Sequence, residues 1–335
     1  MNPISSIFPL FPILAIAAIL TGTSAAQTGA ENGRPAGGPP QGETGSYTAG
    51  NATRWPATAN NNLAPGRQPQ DILADAIELL ERRTAVSAKI RQKVDSFGKQ
   101  LTGFGSYREQ RFGANRLVRL ELKLDLGGQT SSYLQVCDGR YLWTHRKLLD
   151  DGKLSRLDVA RAKEGLDQAE RAGGSGRPDI LPGLGGLPKL LRGLHRSFLF
   201  TSAEAGHLGK EERPVWRLVG SWTEDRLVEL LPRQKKAIRS GEPANLSKLP
   251  RHVPDQVVLM LGQADGFPYL IEYRRRMPTE ETRPDDSPSR AMVTMELFDA
   301  VLDVPVEANH FTYNPGKLKF NDRTDKFLES LGLEE

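Results

Sequence analysis

The chain has 335 residues, of which 26% are charged and 38% hydrophobic, and its formal net charge is +4. That length allows one or two ordinary domains, and so mild a charge excludes the strongly basic footprint of a dedicated nucleic-acid binder, so no nucleic acid is expected among the partners. The single cysteine excludes an intrachain disulfide, which leaves stability to hydrophobic burial.

Ile4 to Leu20 is an almost unbroken apolar run, closed by the small residues Thr21 to Ala26. It reads as a signal peptide over residues 1–26, cleaved near Ala26. The run is shorter than the roughly 20 residues a spanning helix needs, and Pro9 and Pro12 interrupt it. Met1 to Ser6 lacks lysine and arginine, so an uncleaved membrane anchor stands as the alternative. Residues 27–68 are rich in Gly, Pro, Asn, Ala and Thr and poor in aliphatic residues, which predicts a disordered linker because too little apolar surface is available to offset ordering. One folded domain is expected over 69–335.

That domain opens with helical spacing in Ile72, Leu73, Ala76, Leu79 and Leu80, with Asp71 where a cap would sit, and the pattern continues through Val86, Ile90 and Val94 to about Phe97. From Leu101 the period becomes two. Val118, Leu120, Leu122, Leu124 and Leu126 alternate with Arg119, Glu121, Lys123 and Asp125, which predicts a strand with one greasy face. Leu134 to Trp143 reads as strand, Asp138-Gly139 turn, strand. A charged helix is expected over Leu154 to Ala172, a break at Gly173 to Gly176, and an apolar helix over Leu187 to Phe200. Strands follow at Trp216, Leu218 and Trp222, at Tyr269, Ile271 and Tyr273, and at Val293, Met295, Leu297 and Val301. Leu227 to Ile238 and Asp325 to Leu331 read as further helices, Thr279 to Ser289 as a charged loop, and Asp303 to Pro315 as an edge strand. Short turns such as Gly127-Gly128 and Asp265-Gly266 fit an antiparallel meander better than βαβ units.

The segment Val136-Cys137-Asp138-Gly139-Arg140-Tyr141-Leu142-Trp143 and the later Phe311-Thr312-Tyr313-Asn314-Pro315, in this order behind an N-terminal helix, resemble the LolA-like periplasmic lipoprotein carriers. The resemblance implies an α+β fold: a curved antiparallel half-barrel sheet of about nine to eleven strands with helices over its concave face and an apolar cavity between. Residues 148–206 would then be an expanded insertion. The implied function is an exported, non-enzymatic periplasmic carrier that shields the acyl chains of lipoproteins or lipids between membranes, acts as a monomer, and uses membrane-bound donor and acceptor proteins. Val118, Leu120, Leu122, Trp216, Leu218, Tyr269, Ile271, Val293, Met295 and Leu297 would line the acyl-chain wall. Ile77, Leu80, Leu190, Leu194 and Phe198 would form the lid. The family's lid-holding arginine precedes a proline; Arg111 is the nearest match, although Phe112 replaces the proline. A regulatory RseB-like sensor of envelope lipid or protein is the alternative from another class. A second is an enzyme on the same scaffold, which polar side chains inside the cavity would favour.

Other chemistry finds little support. His145, His195, His207, His252 and His310 show no metal-pair spacing, so neither metal nor cofactor is expected. Cys137 reads as a small buried hydrophobe. Gly183-Leu184-Gly185-Gly186 precedes a helix but lacks the lysine and hydroxyl of a phosphate-binding loop. Asp150-Asp151 and Asp285-Asp286 read as solvated loop charges.

Overall fold

The computed structural model describes residues 67–96, 99–113, 115–125, 130–148, 151–171, 183–276 and 289–333. The signal-peptide segment, the linker up to residue 66, Leu126, the Gly127-Gly128 turn, the Gly173 to Gly176 break and the loop up to residue 288 lie outside these. The described chain begins with helix α1 (Pro69–Arg82). Gln68 is its N-cap, and Asp71 accepts the Gln68 backbone N–H at 3.0 Å from the third helical position. Strands β1 (Ala85–Ser96), β2 (Lys99–Phe112), β3 (Asn115–Asp125), β4 (Thr130–Cys137), β5 (Tyr141–Leu148) and β6 (Asp151–Asp158) follow. Helices α2 (Val159–Arg171) and α3 (Gly186–Ser197) precede β7 (Phe198–Leu208) and β8 (Arg213–Trp222). After α4 (Glu224–Leu230) and α5 (Lys235–Arg239) come β9 (Gln256–Gly262), β10 (Pro268–Arg276), β11 (Ser289–Leu302), β12 (Asn321–Asp322) and α6 (Thr324–Ser330).

All twelve strands join one open sheet in the order β12-β6-β5-β4-β3-β2-β1-β11-β10-β9-β8-β7, antiparallel except where β12 meets β6. The architecture is therefore α+β, a curved half-barrel. Register shifts in the β1–β11, β10–β11, β9–β10 and β7–β8 pairs mark the irregularities that bend such sheets. Gly105 allows an unusually close approach of β2 to β3, because a Cβ there would lie 1.8 Å from the Glu121 carbonyl oxygen. Alternation then divides the faces. Val118, Leu120, Leu122 and Leu124 are buried on the concave side, and Arg119, Glu121 and Lys123 point the other way.

Several sequence expectations are corrected. The helix does not run on through Val94: β1 begins at Ala85 and pairs with β2 and β11. Residues four apart fit both periods, and Ala88 and Gln92, buried between Val86, Ile90 and Val94, complete an alternation of two. Leu154 and Leu157 belong to β6, and α2 starts only after Asp158, whose carboxylate accepts the Arg161 N–H at 3.0 Å. Pro232 opens a 3-10 turn that splits the helix expected over Leu227 to Ile238. In β11, Asp299 has φ +50° and the register shifts, so Val301 is exposed while Ala300 and Leu302 pack on the core. The Asp138-Gly139 hairpin forms with Gly139 at φ +92°, whereas Asp138 acts through its carboxylate, accepting the Arg140 and Tyr141 N–H groups at 2.8 and 2.7 Å.

The segment Asp303 to Pro315 forms no edge strand, because both sides of β11 are already paired. It crosses the convex face as a strap. The Val306 N–H donates to Gln110 Oε1 at 2.7 Å, Arg119 donates to the His310 carbonyl at 3.1 Å, and Phe311 is buried. Farther on, Tyr313 and Phe320 lie 5.5 and 5.2 Å from the Trp143 ring before β12 reaches β6.

Candidate functional site

All ten residues of the expected wall occupy the concave side of β3, β8, β10 and β11, and all join one apolar cluster; only Trp216 among them is partly exposed. Two helices cover them. Helix α1 contributes Ile72, Leu73, Ala76, Ile77 and Leu80; α3 contributes Leu187, Leu190, Leu191 and Leu194, spaced to form one greasy stripe. Phe198 is not on the lid. It is the first residue of β7, stacked on Trp222 with ring centroids 4.1 Å apart.

The expected hollow is nearly closed. Among the described residues, the cavity found between the sheet and α3 is about 20 Å³, lined by Ile90, Tyr107, Leu120, Gly186, Leu187, Leu190, Met295 and Leu297. That is space for about one water molecule, so any hydrocarbon guest must displace a lid helix.

What holds the lid is a buried polar cluster. Glu109 on β2 points inward in phase with Tyr107 and has no exposed surface. It accepts a hydrogen bond from the Tyr107 hydroxyl, pairs with the Arg116 guanidinium, and accepts the Leu187 N–H at the start of α3 at 2.9 Å. A carboxylate there complements the positive end of the helix dipole. Gly186 makes the approach possible: its φ is +69°, and a Cβ would lie 2.3 Å from Glu109 Oε2. Thus the glycine-rich segment does precede an anion site, filled by the chain's own glutamate. From the opposite side Arg116 donates to the Leu80 and Glu81 carbonyls at 3.1 and 2.8 Å, closing the C-terminal end of α1.

Arg111 donates once to the same Glu81 carbonyl, at 2.9 Å, from an exposed position. The principal tie is therefore the Glu109–Arg116 pair, which connects the start of one lid helix to the end of the other, while Arg192 of α3 pairs with Glu81 of α1 on the outside. Burial, then the Glu109 charge and hydrogen bond, push the Tyr107 hydroxyl well above the usual phenol range, so it stays a donor. The inward face is therefore not purely aliphatic and aromatic. The polar groups of this cluster, however, are spent on each other and on helix ends. A signal for them existed in the sequence: Glu109 falls in step with Tyr107 on an alternating strand.

On the outer side of α3, burial together with Lys163, Arg196 and Arg192 pulls the Lys189 ammonium down to about 8, against the opposing pull of Asp167. The folded state thus binds this proton more weakly than the unfolded chain, whose lysine titrates near 10.4, and stability should rise with pH between about 8 and about 10.4. Thermal melts across that window are expected to show the rise in the wild type. Lys189→Met should flatten it and raise Tm at pH 7; an unchanged slope would contradict this.

Cys137 is buried on the concave side of β4, and burial, reinforced by the Asp138 charge, raises its thiol, opposed by the Gly139 N–H and Lys163. Alkylation by a maleimide should therefore be slow in the native protein and fast in denaturant. Labelling at the rate of a free thiol would show that the face is open.

No described helix is long and apolar enough to cross a membrane. Among the described residues no group of three His, Cys, Asp or Glu could hold a metal ion. The open, curved antiparallel sheet with helices on its concave face is the architecture that the resemblance to the LolA-like carriers implied. No protein-family model matches the sequence, and no curated protein does.

Among solved structures, the chain is similar to a putative outer membrane lipoprotein-sorting protein domain from Vibrio parahaemolyticus, at 11% identity over 72% of this chain and 95% of that one, with a TM-score of 0.30. It is similar to the lipoprotein LppX of Mycobacterium tuberculosis at 12% identity, covering 72% and 97%, TM-score 0.33. A third is the MucA/MucB complex of Pseudomonas aeruginosa, at 10% identity over 73% of this chain and 61% of that one, TM-score 0.34.

Proposed function

We propose that this chain is an exported, non-enzymatic binding protein of a bacterial envelope, which shelters acyl chains of a lipoprotein or lipid under its two helices and carries them between membranes. The observation that supports this best is the way the lid is attached. Two amphipathic helices lie on a continuous apolar sheet, and few polar ties hold them to it: Glu109 at the start of α3, Arg116 and Arg111 at the end of α1, and one bond from Gln70 near the start of α1 to the Phe198 carbonyl at 3.2 Å. Such helices can swing away as units. The apolar run before Ala26 supports export.

The magnitudes are compatible with exchange. Uncovering the four buried leucines of α3 would cost about 6–12 kcal/mol at 1.5–3 kcal/mol each. A long acyl chain gains about 0.8 kcal/mol per methylene, on the order of 10 kcal/mol, so chain and helix compete on nearly equal terms. A carrier needs that near-balance, since a guest bound far more tightly than the lid could not be handed on.

The test is extraction of the mature protein, purified from its native envelope, with organic solvent followed by mass spectrometry. An acylated molecule in stoichiometric amount is the expected result. A clean blank, together with failure to take up a fluorescent acyl probe, would refute the proposal.

A further inference from the structure

Where the concave face nears the edge of the sheet, its chemistry changes from apolar to cationic. Leu122, Tyr133, Arg146 and Lys153 form one register row across β3, β4, β5 and β6. Neighbouring strands lie about 4.8 Å apart, so Arg146 stands roughly 10 Å from a residue of the apolar wall. Beside it, between β6 and the segment leading into α6, runs an open groove of about 560 Å³. Arg146, Lys153, Lys319, Arg323 and Lys326 line it with Phe320, and no carboxylate lines it among the described residues.

Of the nearby acids, Asp151 pairs with the groove's own Lys153 at 2.9 Å, whereas Asp322 is turned to Arg156 at 2.8 Å and Asp325 to Arg161 at 2.9 Å. The groove is therefore left with an excess of positive charge. Its charges reach the interior side of the sheet: the Tyr133 hydroxyl, pushed up by burial, is partly pulled back by Arg146 and Arg323.

We propose that this groove holds the phosphate-bearing headgroup of the amphiphile whose chains enter beneath the lid. This rests on the acyl-binding function proposed above and adds a ligand class to it. Cations converging from β5, β6 and the C-terminal segment on a concavity suit a discrete phosphate better than a flat surface, and guanidinium groups provide forked donors for its oxygens. Phe320 and Leu154 would pack against the glycerol or sugar beneath it.

The test compares a short-chain phosphatidic acid, dispersed below its micelle concentration, with the diacylglycerol of identical chains, using the full mature chain. The phosphorylated lipid should bind about tenfold more tightly, with an advantage that shrinks as salt rises. Arg146→Gln with Lys326→Gln, checked for an unchanged circular dichroism spectrum, should remove about tenfold from phosphatidic acid affinity and leave diacylglycerol affinity unchanged. Equal binding of both lipids by the wild type would overturn the headgroup site while leaving acyl binding standing. Binding of neither would overturn both. Inorganic phosphate binding as tightly as the lipid, or association only with phosphatidic acid vesicles, would show a free-anion site or a planar contact instead and would also overturn it.

Discussion

Arg116→Met is expected to destabilise the protein by about 3–5 kcal/mol, because it leaves the fully buried Glu109 carboxylate without its counter-charge and frees the Leu80 and Glu81 carbonyls. For a domain of this size that is a fall in melting temperature of about 10 °C. Adding Glu109→Leu should recover much of the loss, since the penalty arises from the unpaired charge and not from the missing attraction. Denaturant melts of the two single variants and the double variant form the cycle that measures the coupling. A single Arg116→Met variant as stable as the wild type would show that the pair does not hold the lid. The double variant has a second expected property: its lid, tied by less, should take up an acyl probe faster than the wild type.

Gly186→Ala should have an effect of similar size by another route. Alanine at φ +69° costs about 1–2 kcal/mol, and its Cβ would fall 2.3 Å from Glu109 Oε2, so the start of α3 must retreat from a buried carboxylate and its N–H bond is lost, a further 1–3 kcal/mol or so. Hydrogen exchange at the amides of Leu187 to Ser197 should accelerate markedly, with little change in the sheet strands. Gly185→Ala is the matched control. It too has a positive φ, of +90°, but its Cβ would meet only the flexible Lys189 side chain, so the backbone penalty alone should remain. Equal exchange in the two variants would contradict a latch at Gly186.

Much of the fold was legible because it depends on alternation. The greasy face of β3, the strands around Trp216, Tyr269 and Met295, and the stripe on α3 are each set by local periodicity, and the apolar positions of these strands share one face. The errors arose where a second constraint competed. Val86, Ile90 and Val94 satisfy two periods at once, and only pairing with β2 and β11 decides between them. Val301 lost its phase at a bulge that has no strong local signature.

The motif pair also worked differently from the reading that used it. Trp143 of the hairpin and Tyr313 of the later segment do meet, but as packing between the convex face and a strap, not as neighbouring strands. The latch was the least legible part. Glu109 and Arg116 flank one hairpin, but Leu187 lies far from both, and nothing local reveals that a glutamate on one strand ends at the start of a helix about eighty residues later. Arg111 drew attention through a motif, yet Arg116, across the hairpin from it in the β2–β3 register, carries the buried pair.

The central claim is that the filled face beneath α1 and α3 opens to admit a hydrocarbon chain. Glu81→Cys and Arg192→Cys, whose side chains are in contact across the two helices in the wild type, can be bridged by a reducible bismaleimide and the protein titrated with a fluorescent acyl probe. Binding of the probe by the untethered variant, its loss on bridging, and its return when the linker is cleaved are the expected results. Undiminished probe binding by the bridged protein would mean that the chain binds somewhere other than beneath the lid.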